Sequence, residues 1–134
     1  MLAGTGHIAV VLQEGDDTSS IQLLDPASRE LRPIYRTSRG NFIPASILLD
    51  WMPDGKSLLF VTSPHSSRTW DSDVEPPFSL FRIPAYGGQP EKLLEAEWIW
   101  QIRVHPDGRR IAIETRPPRT ETWVVDNLFA AGKM

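Results

Sequence analysis

The sequence contains no cysteine, which removes disulfides, thiolate catalysis and cysteine zinc sites together. Long apolar runs are missing as well: none approaches the about 18 consecutive apolar residues of a membrane helix, so no membrane span is expected. There is no excess of positive charge, because 14 Lys and Arg face 17 Asp and Glu for a net charge of -3. A dedicated nucleic-acid binder is usually strongly basic, and none is expected here. The opening Met1-Leu2-Ala3-Gly4-Thr5-Gly6-His7 has neither a basic n-region nor an apolar h-region. It does not read as a cleavable secretion signal, which favours a cytoplasmic setting. Helical periodicity is also scarce, since no stretch of eleven residues keeps apolar side chains at i, i+3, i+4 and i+7 without a proline or glycine breaking it.

What the 134 residues do contain is punctuation. Twelve prolines and nine glycines are spaced between short apolar runs, as in a fold of many short elements joined by turns. Runs rich in β-branched and aromatic residues predict ten strands, at 7–13, 20–25, 31–35, 45–51, 57–63, 78–83, 90–94, 98–104, 110–116 and 121–126. With no helices to make parallel crossovers, the expected class is antiparallel all-β.

The strands repeat. Trp51-Met52-Pro53-Asp54-Gly55-Lys56-Ser57-Leu58-Leu59-Phe60-Val61 aligns with Val104-His105-Pro106-Asp107-Gly108-Arg109-Arg110-Ile111-Ala112-Ile113-Glu114 at an offset of 53. A third copy without its turn lies at the front, where Ile8-Ala9-Val10-Val11 matches Leu58-Leu59-Phe60-Val61. In each Pro-Asp-Gly turn the proline fixes φ, the aspartate accepts a local backbone hydrogen bond, and the glycine takes positive φ without steric cost. Pro53, Asp54, Gly55, Pro106, Asp107 and Gly108 are therefore read as structural turn residues.

These two turns in matching strand contexts, together with Tyr86-Gly87-Gly88-Gln89-Pro90-Glu91-Lys92-Leu93-Leu94, resemble the TolB-type, WD40-like β-propeller repeat. Met52 and His105 replace the serine that usually precedes the proline in that family, and the first copy lacks the turn. The resemblance covers about 7–127 and implies four-stranded antiparallel blades. It divides a single partial propeller over 1–134 into repeats at about 7–44, 45–97 and 98–127, with a short tail at 128–134. The strand count is then three, four and three. Closed propellers need at least four blades, so the chain is expected to be incomplete alone and to be completed by oligomerisation. Family resemblance also allows a periplasmic setting.

Candidate chemistry is sparse. His7, His65 and His105 have no metal-ligand spacing. The loop Trp70-Asp71-Ser72-Asp73-Val74-Glu75 lacks the glycine and spacing of a calcium loop, and no Gly-x-Ser-x-Gly elbow or phosphate loop is present. No catalytic residue, metal or cofactor is assigned. The eleven arginines, including Arg29, Arg32, Arg36 and Arg39 in one segment, read as solvated strand faces and ion pairs within blades. Trp51 and Trp123 fall where the family packs an aromatic between blades. A ligand or peptide at the channel mouth would meet Trp98, Trp100, Gln101, Arg103 and Asp50.

The expected function is a non-enzymatic binding or scaffold module for a protein or peptide, self-assembling as a homo-oligomer, most simply a dimer. One alternative is the terminal blades of a larger bacterial sensor or kinase-linked regulator. The other is a metal-assisted propeller lyase or hydrolase using His65, His105 and Asp71 or Asp73.

Overall fold

A computed structural model describes residues 6–14, 18–38, 41, 43, 49–63, 78–97, 99–115 and 122–126. All ten expected strands are present: β1 (Ile8–Gln13), β2 (Ser19–Leu24), β3 (Leu31–Arg36), β4 (Leu49–Trp51), β5 (Ser57–Thr62), β6 (Phe78–Pro84), β7 (Glu91–Ala96), β8 (Gln101–Val104), β9 (Ile111–Glu114) and β10 (Thr122–Val125). They form three antiparallel meanders in the order β1-β2-β3, β4-β5-β6-β7 and β10-β9-β8. No helix occurs among the described residues. The first strand of the third sheet is shorter than expected, beginning at Gln101, with Ile99 and Trp100 outside it and Trp98 outside the described residues.

The central sheet is the middle layer. Its β5 run Leu58-Leu59-Phe60-Val61 is apolar at consecutive positions, and all four side chains are fully buried, the pattern of a strand covered on both faces. Burial of each is worth roughly 1.5–3 kcal/mol. Register assigns the faces, since cross-strand partners share one. Leu58, Phe60 and Thr62 pair with Ile83, Phe81 and Ser79 on one face, while Leu59 and Val61 pair with Arg82 and Leu80 on the other.

The first sheet covers the Phe60 face. Tyr35 stands 5.4 Å from Phe60, which stacks on Phe81 at 5.3 Å. Tyr35 shares its row with Ile21 and Val11, and Leu23 pairs with Ala9, so these side chains point inward. The opposite, outward face carries Ile8, Leu24 and Leu31 in one row, with Val10 and Leu12 along β1. Five aliphatics thus line a surface where Leu31 is 50% and Leu12 39% exposed.

The third sheet covers the other face. Ile102, Ile113 and Trp123 form one inward row, and Val104, Ile111 and Val125 another. Outward lie Gln101, Glu114 and Thr122, then Arg103, Ala112 and Val124. Trp51 is buried as expected, but Trp123 is 58% exposed. The cause is its place on β10, an edge strand of the third sheet, so the expected burial between sheets does not occur within one chain.

Candidate functional site

Both Pro-Asp-Gly turns close in the same way. Gly55 donates its N–H to the Met52 carbonyl at 2.9 Å, and Gly108 to that of His105 at 2.9 Å. Both glycines have φ of 71°, a left-handed conformation that costs L-residues energy. The carboxylates of Asp54 and Asp107 accept from the N–H of Lys56 and Arg109 at 2.9 and 2.8 Å. The Asp107 carboxyl is thereby lowered to about 2, mainly by the Arg109 N–H, with the Arg110 guanidinium and His105 adding to it. The His105 ring is held in this turn too, its Nδ1 accepting from the Asp107 N–H at 3.1 Å.

These turns aim β4 and β8 side by side, and Asp50 spans the gap. Its Oδ1 accepts from the Trp51 N–H at 3.0 Å and its Oδ2 from the Val104 N–H at 2.9 Å. Asp50 therefore ties the first strand of the central sheet to the first strand of the third. Register places Gln101 and Arg103 on the outward face of the third sheet instead, and Arg103 is exposed. Trp100 is 44% exposed, with its N–H donated to the Glu114 carbonyl at 2.7 Å. The expected channel-mouth set is thus divided, with Asp50 engaged between sheets, Gln101 and Arg103 on an outer face, and Trp98 outside the described residues.

Four of the described arginines engage local partners. Arg36 pairs with Glu14 at 2.6 Å, Arg82 with Glu91 at 2.7 Å and Arg110 with Asp107 at 3.0 Å. Arg32 reaches the Ala85 carbonyl at 3.3 Å. Arg39, Arg116, Arg119, His65 and the carboxylates of 71–75 lie outside the described residues. Among the described residues no group of three His, Asp or Glu is arranged to hold a metal ion.

A feature that sequence spacing does not reveal lies between the first and central sheets. A cleft of about 200 Å³ opens there, lined by Tyr35, Thr37, Ser38, Asn41, Thr62, Ser79, Phe81 and Lys92. Thr37, Ser38 and Asn41 line one side. The Thr37 hydroxyl donates to the Asn41 carbonyl at 2.6 Å and accepts from the Ser19 N–H at 2.9 Å. Ser19 Oγ accepts from the Ile43 N–H at 2.9 Å. Burial raises the Tyr35 phenol above its ordinary pKa, so its hydroxyl stays protonated and able to donate.

No family model matches the chain, and no curated protein matches it. Solved structures do. Pyrococcus horikoshii acylaminoacyl peptidase aligns at a TM-score of 0.55 and 15% identity, over 91% of this chain and 21% of its own. An oligogalacturonate lyase in complex with manganese aligns at 0.58 and 12%, over 92% of this chain and 34% of its own. TolB from Acinetobacter baumannii aligns over 90% of this chain and 38% of its own at 18% identity, with a TM-score of 0.38. The chain spans only 21% and 34% of the first two structures. At such identities the likeness shows the fold alone: antiparallel blades of a β-propeller, incomplete within this chain.

Proposed function

We propose that this partial β-propeller is a non-enzymatic binding module that completes its sheet stack with a second copy, most simply as a two-fold dimer, and presents the assembled platform to a protein or peptide. The outward face of the first sheet carries this reading. Ile8, Leu24 and Leu31 form an aliphatic row there, and Val10 and Leu12 continue it along β1 in rows shared with Gln22 and Ser20, an apolar stretch of the kind that marks an interaction site.

A two-fold axis through the ring centre brings this face of each copy against the outward face of the partner's third sheet, where Ala112 and Val124 supply apolar surface. Three sheets from each of two chains make six blades, within the range of closed propellers.

Light scattering on the eluted protein, with Leu31→Glu as the variant, tests the proposal. Leu31 is half exposed on an edge strand, so the substitution leaves the inner rows intact. The wild type is expected as a dimer and the variant as a folded monomer. A stable wild-type monomer contradicts self-completion and favours terminal blades of a larger propeller, in keeping with the greater length of the matched structures.

A further inference from the structure

We propose that the cleft between the first and central sheets binds a small ligand through an anionic carboxylate or phosphate group. This inference rests on one chain's own residues and is independent of whether two copies associate.

The leading observation is Thr62. It is only 6% exposed, it lines the cleft, and its hydroxyl has no hydrogen-bond partner among the described residues. Buried hydroxyls are ordinarily paired, and other buried hydroxyls of this molecule obey that rule, as the bonds of Ser19 and Thr37 show. Ser79 is the cross-strand partner of Thr62, so the two hydroxyls sit side by side on one face. Among the described residues neither the Ser79 hydroxyl nor that of Tyr35, across the cleft, has a hydrogen-bond partner. Three hydroxyl-bearing residues therefore line one space, with donors that no described residue engages.

The rest of the lining sets the ligand's charge and shape. Lys92 brings an ammonium, and no carboxylate is among the described residues that line the cleft, so these residues offer a surplus of donors to an acceptor-rich group. Lys92 is paired with Glu95 at 2.8 Å, but both are about half exposed. Such a rim pair is weak and exchangeable, which leaves the ammonium available to an incoming anion. The rings of Tyr35 and Phe81 form firm walls because both pack against Phe60. At about 30 Å³ per water the space equals roughly six or seven waters, enough for a ligand of about ten non-hydrogen atoms.

Malate and inorganic phosphate serve as probes, with erythritol as the neutral control, and binding is followed by amide chemical shifts in the folded chain. A saturable shift at Tyr35, Thr62 and Ser79 with malate alone identifies a carboxylate ligand, and with phosphate alone a phosphate ligand. Erythritol is expected to produce none. Lys92→Met should weaken the response about tenfold, as loss of a charge-assisted bond does. Thr62→Val should abolish it while raising the ligand-free melting temperature, because a methyl replaces an unpaired buried hydroxyl. No saturable response to either anion, an equal response to erythritol, or unchanged binding in Lys92→Met overturns the proposal and leaves a cleft filled by water only.

Discussion

Removing the Asp50 carboxylate should loosen the junction between the central and third sheets. In Asp50→Ala the Val104 N–H loses an acceptor at 2.9 Å and the Trp51 N–H loses one at 3.0 Å. A hydrogen bond to a charged group is worth about 1.5–3 kcal/mol, and the half-buried position of Asp50 puts the net loss at the lower end, about 1.5 kcal/mol. For a chain of this length that corresponds to a fall in Tm of roughly 5 °C. Asp50→Asn keeps one acceptor oxygen for Val104 and should lose less. Thermal unfolding gives the global effect, and amide hydrogen exchange reads the junction directly, because the Val104 amide should lose protection before β5 does. An unchanged Tm with unchanged Val104 protection would refute the junction role and return Asp50 to the expected ligand site.

Three further outcomes follow from local geometry. Gly87 has φ of 95°, and a Cβ there would lie 3.3 Å from the Ile34 carbonyl oxygen, whereas Gly88, with φ of 117°, faces open space. Gly87→Ala should therefore cost more than Gly88→Ala, by about 2 kcal/mol against about 1; equal losses in chemical denaturation contradict the close approach. Asp107 is held at about 2 against its ordinary 3.8, so its contribution to stability is fully present above about pH 4 and is lost as pH falls toward 2. A carboxyl titration by NMR with a midpoint near 3.8 would contradict the turn geometry. Phe60→Ala opens a void between Tyr35 and Phe81 and should cost about 3–5 kcal/mol, read as a fall in the urea midpoint; a loss under 1 kcal/mol would show that the aromatic stack does not hold the two sheets together.

The strand plan was legible because the turn chemistry is local. Pro53-Asp54-Gly55 and Pro106-Asp107-Gly108 announce hairpins in three residues each, and the unbroken run Leu58–Val61 announces a strand buried on both faces. Edge effects were less legible. Trp123 shares a row with Ile102 and Ile113, and only its position on β10 accounts for its exposure, a fact of sheet order rather than of pattern. The site was the least legible part. Tyr35, Thr62 and Ser79 meet through the stacking of two sheets, and no spacing in the sequence relates them. The acceptor role of Asp50 toward the Val104 N–H was hidden for a similar reason: it depends on the backbone of β8 lying beside β4, which no spacing in the sequence shows.

The central claim is that one chain supplies an incomplete propeller and a second copy completes it. Sedimentation equilibrium of the purified chain tests it most directly. The account predicts a species of twice the 15.1 kDa of one chain, dissociated by Leu31→Glu without unfolding. A stable wild-type species of 15.1 kDa at all concentrations would contradict it.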